Sequence, residues 1–248
     1  MTRPADPVVP TPASSVLLVR SGDACPVEVY MIRRQQSMRF LGGFYAFPGG
    51  KVDGPDATEA AFARCRGLDR AETSRLFPER EGVPPLAFWV TAARELLEET
   101  GILAAGDRDG RPISLRDPAV AARVEEMRRR LMAEEAVSHF ITPTSSPIRF
   151  TARFFLAPLP EGQTPRLFTE ETSEGLWIDP AEGVKRYESR DMPMAEPAES
   201  GLRYLSGFES LEAVWRAHGD RRHKFHGVFD DDDPPGIWDP PEQRHPSR

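Results

Sequence analysis

Three glutamates, Glu95, Glu98 and Glu99, lie close together in the segment from Leu86 to Thr100. A helix turns about 100° per residue, so a helix over this segment places the three carboxylates within an arc of about 100°. Like charges held so close repel one another unless a cation offsets them. Carboxylate oxygens are ligands that Mg2+ and Mn2+ prefer. The spacing therefore indicates a divalent metal site.

The alternative interpretation of these glutamates is an ordinary acidic helix face in contact with solvent. Two features favour the metal site. We expect no lysine or arginine side chain to neutralise the carboxylates on their own face of the helix, and Gly101 follows the helix where a C-terminal glycine is common. The opposite face is apolar and is expected to be buried; its residues are Trp89, Val90, Ala93, Leu96 and Leu97.

A second segment with chemical potential precedes the helix and reads Phe47-Pro48-Gly49-Gly50-Lys51-Val52-Asp53. Paired glycines allow the backbone to approach a bulky anionic ligand closely. Taken alone, a Pro-Gly-Gly sequence is only a turn. Combined with the glutamate helix, it makes Gly49 and Gly50 candidates for substrate binding.

Together the two segments resemble the box of the Nudix hydrolase superfamily, G-x5-E-x7-R-E-U-x-E-E-x-G-U, where U is aliphatic. The second half of the box matches in full, at Arg94, Glu95, Leu96, Glu98, Glu99, Gly101 and Ile102. The first half begins at Gly50, but Asp56 stands at its glutamate position, and the arginine follows far later than the pattern allows. The resemblance therefore implies an insertion of about 30 residues, 57–87, and it leaves Asp56 without an assigned role.

The chain also resembles the coenzyme A-type members of this superfamily, including a group with a split box. Their upstream pattern is matched at Arg34, Arg39, Gly43 and Phe47-Pro48-Gly49-Gly50, whereas Tyr30-Met31-Ile32 and Gln35 depart from it. The resemblance implies that Arg34 and Arg39 contact substrate phosphates, for which the guanidinium fork is suited. The alternative is that both are exposed loop arginines.

The resemblance further implies roles for the helix residues. Glu95, Glu98 and Glu99 would bind Mg2+ or Mn2+, and the catalytic residues would be Glu95, Glu98 and Arg94. We expect Arg94 to orient the glutamates through charge-assisted hydrogen bonds. One helix carboxylate, or a loop glutamate, would accept the proton of the attacking water; the loop candidates are Glu170, Glu171 and Glu174.

The activity that the resemblance implies is hydrolysis of the pyrophosphate of coenzyme A or acyl-CoA, yielding 3′,5′-ADP and (acyl-)4′-phosphopantetheine. Two alternatives stay open. One is hydrolysis of another nucleoside diphosphate derivative, such as ADP-ribose, NADH or a dinucleotide. The other is a catalytically silent Nudix module that binds nucleotides, although such a module has no need of three acids on one helix face.

The elements that must position these residues indicate an α+β protein. Strands are predicted at 15–20, 27–32, 148–156 and 175–178, and helices at 86–100, 118–135, 180–187 and 208–218, with a polar loop at 103–116. The resemblance implies the Nudix fold, in which a mixed β-sheet is sandwiched between helices. Here a helical segment would be inserted inside the Nudix box.

The chain is expected to divide into four parts: a flexible N-terminus (1–13), a Nudix hydrolase domain (14–190), a C-terminal helical extension (191–225) and an acidic, proline-rich tail (226–248). Within the domain, the insertion at 57–87 has apolar spacing that suits either a cap over the substrate or a contact in a homodimer. The sequence leaves both alternatives open.

Composition excludes several classes of protein. A net charge of -7 disfavours a general nucleic-acid binder. The partner that the resemblance implies is a nucleoside diphosphate-linked small molecule similar to CoA. No apolar run is long enough to span a bilayer, and the two cysteines, Cys25 and Cys65, have no metal-ligand spacing. A cytoplasmic protein without membrane partners is the expectation.

Overall fold

A computed structural model of the chain describes most of the elements predicted above. The described residues are 9–22, 25–65, 69–76, 82–106, 113, 118, 135–141, 150–167 and 171–218, and for 135–141 only the backbone. The predicted helix at 118–135, the candidate Glu170 and the tail at 226–248 fall outside these ranges, apart from Pro118 and the backbone of Glu135.

A single mixed sheet contains the strands of the described chain. Its order is β3-β2-β1-β6-β5, with β4 paired to β1 and β7 paired to β2. β1 and β6 are parallel, and the remaining pairs are antiparallel. The strands are β1 (Thr11–Arg20), β2 (Glu28–Arg34), β3 (Tyr45–Ala46), β4 (Gly49–Lys51), β5 (Glu135–Ile141), β6 (Phe150–Pro158) and β7 (Thr172–Ile178).

Helices lie on both faces of this sheet. They are α1 (Glu59–Phe62), α2 (Arg70–Leu76), α3 (Leu86–Thr100), α4 (Pro180–Glu188), α5 (Glu196–Leu205) and α6 (Leu211–His218), with a 3-10 turn at Gly54–Ala57 before α1. The predicted α3 is thus confirmed with the expected bounds. α5 is an additional helix within the segment expected to form a helical extension.

The central strand β1 shows why two helical layers form. Val16 and Leu18 belong to the apolar cluster that contains α3, whereas Leu17 and Val19 belong to the cluster that contains α4, α5 and α6. All four side chains are fully buried. A strand that is apolar on both sides needs cover on both sides. The predicted α+β architecture, a mixed sheet between helices, is therefore confirmed.

The insertion between the halves of the box contains the short helices α1 and α2. Phe62 of α1 is 8% exposed and belongs to the same cluster as Leu86 and Phe88 of α3. Ala61 and Cys65 pack against that cluster as well. The apolar residues described in this segment therefore extend the protein's own core. Its roles as a substrate cap or a dimer contact stay predictions.

Three local expectations differ from the structure. β1 begins at Thr11, inside the segment 1–13 that was expected to be flexible, because Thr11 pairs with Phe150 in the parallel ladder. Leu103 and Ala105 are buried, so the described start of the predicted polar loop is apolar. β5 was not predicted; its register against β6 supplies the outer edge of the sheet.

Within the described ranges, no helix has the length and apolar character needed to cross a membrane.

Candidate active site

Helix α3 carries the glutamates, and its ends are set by local sequence. Pro85 occupies the N-cap position, and Gly101 ends the helix with a left-handed backbone, φ 69°. Glycine adopts this conformation without the steric penalty of a Cβ. The Gly101 N–H donates to the carbonyl of Leu97, which satisfies one of the last carbonyls of the helix. Glu99 therefore sits in the final turn of a well-terminated helix.

The glycines of β4 allow α3 to approach the sheet closely. A Cβ on Gly50 would overlap the Glu95 carboxylate, and a Cβ on Gly49 would overlap the carbonyl of Ser14 on β1. The Gly49 N–H donates to Glu99 Oε2 at 2.8 Å. The space predicted to admit an anionic ligand is thus lined by the helix's own carboxylates. Contact of Gly49 and Gly50 with a substrate stays a prediction.

Arg94 contradicts the expectation that no basic side chain neutralises the carboxylates on their own face of the helix. Its Nη1 donates to Glu95 at 2.9 Å and to Glu98 at 3.0 Å. Its Nη2 donates to the carbonyl of Lys51 at 2.9 Å. Arg94 precedes Glu98 by one helical turn, so its side chain lies over both carboxylates. These are the orienting contacts expected for Arg94.

Asp56 holds the other side of the Arg94 guanidinium. It is 3% exposed and accepts hydrogen bonds from Arg94 Nε at 3.0 Å and Arg94 Nη2 at 2.9 Å. Thr91 Oγ1 and the Asp53 N–H also donate to it, at 2.9 and 3.0 Å. Sequence reasoning left Asp56 without a role, although its position after Gly50 was a usable sign. The insertion follows Asp56, so it leaves this contact intact.

Charge and burial shape the protonation of this network. Burial alone would lower the pKa of Arg94, but its hydrogen bond with Asp56 and the charges of Glu95, Asp56 and Glu98 raise that pKa overall. Burial raises the pKa of Glu95, and Arg94 opposes part of this rise. Arg94 is therefore a permanent cation that holds two carboxylates in place.

Glu99 is the most strongly perturbed carboxyl of the site. Burial raises its pKa to about 8, the Gly49 N–H and the charge of Arg34 act against the rise, and the charges of Glu95 and Glu171 add to it. The same interactions show which charged groups surround Glu99. Near neutral pH, this carboxyl holds a proton unless a further cation stabilises its charge.

The two arginines predicted to bind substrate lie in different surroundings. Arg34 ends β2 close enough to influence Glu99, and its buried Nε has no hydrogen-bond partner within the described part of the chain. Arg39 is exposed on the turn that follows β2. The structure therefore brings Arg34 within electrostatic reach of the glutamate helix. Contact of Arg39 with a substrate stays a prediction.

The two described loop glutamates also lie in different surroundings. Glu171, just before β7, is exposed and lies within electrostatic reach of Glu99. Glu174 lies on β7 itself, where it accepts a hydrogen bond from the Tyr45 hydroxyl at 2.9 Å. Tyr45 belongs to the apolar cluster on the face of the sheet opposite α3. Glu174 is therefore not part of the carboxylate cluster.

The donor chemistry suits a divalent cation. Within the described ranges, no three acidic, histidine or cysteine side chains already surround a common point as metal ligands. Glu95 and Glu98 point to Arg94, and Glu99 points to Gly49. All three are oxygen donors on one helix face, and the buried Glu99 is the group whose charge a cation would stabilise. Metal binding then requires rotation of these side chains.

Comparison with known proteins is consistent with this site. The chain matches no protein-family model. It is 28% identical over 186 residues to nudix hydrolase 7 of Caenorhabditis elegans, covering 69% of this chain and 52% of that protein. It is 26% identical over 250 residues to the acyl-coenzyme A diphosphatase NUDT19 of Gallus gallus, covering 79% of this chain and 66% of that protein. The chain thus spans about half the length of the nematode relative and just under two thirds of the chicken relative.

Among solved structures, a Nudix hydrolase from Alicyclobacillus acidocaldarius superimposes with a TM-score of 0.68 at 28% identity. The match covers 84% of this chain and 96% of the bacterial one. This similarity in fold accompanies the Arg-Glu pattern of α3 and the similarity to the two curated relatives. In sequence and in fold, the chain is therefore similar to Nudix hydrolases.

Proposed function

We propose that this protein is a Mg2+- or Mn2+-dependent diphosphohydrolase that cleaves the pyrophosphate of coenzyme A or acyl-CoA. The products would be 3′,5′-ADP and (acyl-)4′-phosphopantetheine. One observation carries the proposal: Glu95, Glu98 and Glu99 are gathered on one face of α3, with Arg34 beside Glu99. A cluster of hard oxygen donors next to an arginine suits a metal-bound phosphoanhydride.

The choice of a CoA-type substrate has two supports. One is similarity to a chicken protein named acyl-coenzyme A diphosphatase, at 26% identity. The other is the upstream pattern formed by Arg34, Arg39, Gly43 and the Phe47-Pro48-Gly49-Gly50 segment. Specificity in this type of enzyme depends on loops outside the catalytic helix, so these supports concern the substrate class and not its acyl group.

In this proposal each residue of the site has a task. When bound, the divalent ion supplies charge neutralisation at the phosphate oxygens and lowers the pKa of bound water. Glu95, Glu98 and Glu99 hold the ion, and Arg94 with Asp56 keeps two of these carboxylates in position. The Arg34 guanidinium, whose Nε has no hydrogen-bond partner among the described residues, donates hydrogen bonds to a substrate phosphate oxygen.

The proton released by the attacking water needs an acceptor close to the metal ligands. Glu98 is the most accessible of the helix carboxylates, with 43% of its side chain exposed. Glu171 is exposed and close to Glu99. We therefore assign the general base to Glu98 or Glu171, and not to Glu174, which faces the other side of the sheet.

A product-resolved assay tests the proposal. The purified chain is incubated with Mg2+ and, separately, CoA, acetyl-CoA, ADP-ribose, NADH, a dinucleotide and the dNTPs, and products are separated by chromatography. We expect 3′,5′-ADP from CoA and acetyl-CoA. Cleavage of ADP-ribose or NADH without cleavage of CoA would overturn the substrate assignment. The proposed hydrolase activity would still stand. If none of these compounds is cleaved, the result favours the catalytically silent module.

A further inference from the structure

The side chain of Gln163 joins the connection between β6 and β7 to the chain that leaves the glutamate helix. Gln163 is 6% exposed. Its Oε1 accepts from the Leu103 N–H at 2.8 Å, and its Nε2 donates to the Leu103 carbonyl at 3.0 Å. Nε2 also donates to the carbonyl of Ile113 at 3.2 Å. One buried amide thus satisfies three backbone groups that have little access to water.

Local structure holds Gln163 in place for this contact. The Gln163 N–H donates to the carbonyl of Pro160 at 3.2 Å, which closes a tight turn. Gly162 supplies the positive φ of 77° that this turn needs. Three residues further on, the Arg166 N–H donates at 2.9 Å to the carbonyl of Thr100, the last residue of α3. The β6–β7 connection is therefore attached both at the end of α3 and just beyond it.

This double attachment lies beside the reactive carboxylates. Glu99 is four residues before Leu103 and directly precedes Thr100. At the other end of the same connection, the carbonyl of Glu171 accepts from the Gln35 N–H at 2.8 Å. Glu171 is close enough to Glu99 to influence the charge of Glu99. The described start of the connection, 159–167, thus holds the last turn of α3.

We propose that Gln163 is a positioning residue for catalysis, which holds the last turn of α3, and with it Glu99, against the described start of the β6–β7 connection, 159–167. The role rests on the proposed hydrolase function. The side chain acts through the backbone of Leu103 and does not touch the substrate. A carboxylate displaced by a fraction of an ångström aligns poorly with its metal and its water.

The amide is suited to this task because it donates and accepts at once. Methionine at position 163 has a similar length and shape but leaves the N–H and carbonyl of Leu103 without partners. Glutamate keeps an acceptor for the Leu103 N–H but replaces the donor with a charged oxygen facing two carbonyls. Gln163→Met removes all three bonds, and Gln163→Glu retains one, so the two variants form a graded series.

The test measures steady-state kinetics with CoA and Mg2+ together with hydrogen exchange at individual amides. In Gln163→Met we expect kcat to fall about 10- to 100-fold, the range seen when supports of metal ligands are removed, with KM changed less than about threefold. The kcat of Gln163→Glu is expected to lie between that of Gln163→Met and that of the parent chain. The Leu103 and Arg166 amides exchange faster in Gln163→Met, because both lose the support of the attachment.

A matched control separates positioning from general loss of stability. Tyr204→Phe removes a hydroxyl that bonds His218 Nε2 at 2.7 Å, in the helical layer on the opposite face of the sheet. We expect Tyr204→Phe to lower the midpoint of thermal unfolding about as much as Gln163→Met does, and to leave kcat unchanged. Assays are run well below the unfolding midpoint of every variant.

Three outcomes overturn the proposed role. One is unchanged kcat in both Gln163 variants despite faster exchange at Leu103; another is unchanged exchange at Leu103 in Gln163→Met; the third is an equal fall in kcat in Tyr204→Phe. If the parent chain cleaves CoA and Gln163→Met has the same kcat, only the role of Gln163 is contradicted. A parent chain that cleaves no compound contradicts the proposed function and this role with it.

Discussion

At the scale of single residues, the site depends on how one arginine is shared. Asp56 and the pair Glu95 and Glu98 contact different edges of the same Arg94 guanidinium. Removing the carboxylate from one edge leaves a partly buried cation without its deepest counter-charge. Such losses are costly, because the remaining charge stays in a poorly solvated place.

We expect Asp56→Asn to lower the free energy of unfolding by about 3 kcal/mol, the lower end of the range for a broken buried ion pair, because Arg94 keeps Glu95 and Glu98. Asp53→Asn is the control. Asp53 lies 3.7 Å from Arg94 but its side chain is 66% exposed, so its loss costs less than about 1 kcal/mol. Urea unfolding measures both values. Equal losses in the two variants would contradict the assignment of Asp56 as the anchor.

Glu99 makes a pH-dependent contribution to stability. Its pKa is about 8 in the folded chain against an ordinary value of 4.5, so between these values the folded state binds a proton that the unfolded state has released. Stability without metal therefore falls as pH rises from about 4.5 to about 8, by up to about 1.4 kcal/mol per pH unit for this group. Added Mg2+ is expected to restore stability at pH 8, since it offsets the charge.

Glu99→Gln removes this dependence. In EDTA, we expect the variant to be more stable than the parent at pH 8 and close to it at pH 4.5. A residual slope in the same direction is expected from Glu95, whose pKa burial also raises. Thermal unfolding across this pH range measures the difference. A parent and variant with parallel pH profiles would show that Glu99 is ionised in the metal-free protein.

Many of the residues of this site could be proposed from sequence alone, because the helical spacing of Glu95, Glu98 and Glu99 is a local property. The residues that these side chains contact could not be proposed from sequence. The contact of Asp56 with Arg94 crosses the insertion, and the bonds from Gln163 to Leu103 join segments far apart in sequence. Contacts of this range depend on the tertiary fold, which no local pattern encodes.

At the scale of elements, the site is a helix laid against a very short strand. A Cβ on Gly50 of β4 would overlap the Glu95 carboxylate of α3, whereas a Cβ on Gly49 would overlap the Ser14 carbonyl of β1. Each glycine of the pair therefore lies close to another group of the protein. Their predicted contact with a ligand stays a prediction. A pattern that demands close approach does not reveal which group approaches.

We expect Gly50→Ala to lower kcat/KM at least about tenfold, because the added Cβ overlaps the Glu95 carboxylate and displaces it from its place beside Arg94. Gly54→Ala is a matched control in the same segment, since a Cβ there meets no atom within 4 Å. Kinetics with CoA and Mg2+ measure both. A Gly50→Ala variant with parental kcat/KM would show that the close contact has no catalytic importance.

At the scale of the whole molecule, the fold follows from strands that are apolar on both sides. The residues of β1 alternate between the two apolar clusters, so this strand requires cover on both faces of the sheet. The strands that escaped prediction are short or edge elements. β3 and β4 have two and three residues, and β5 lies at the edge of the sheet. They form through pairing with neighbours and lack a strong local pattern.

The relatives show that the chain is similar to Nudix hydrolases, and the proposed reaction rests on the geometry of the site. A fold shared by many enzymes does not determine a reaction, so the account depends on whether the α3 glutamates bind a metal ion. Arg94 forms ion pairs with Glu95 and Glu98 in the metal-free protein. The raised pKa of Glu99 favours its protonated form near neutral pH. A cation must compete with both.

Direct titration of Mn2+ at pH 8, followed by the electron paramagnetic resonance of the free ion, tests this central claim. We predict that the parent chain binds Mn2+ and that Glu99→Gln binds it at least about tenfold more weakly. Glu188→Gln, which alters an exposed ion pair with Arg203 on the opposite helical layer, is predicted to bind like the parent. Equal Mn2+ affinity in the parent and in Glu99→Gln would contradict the account.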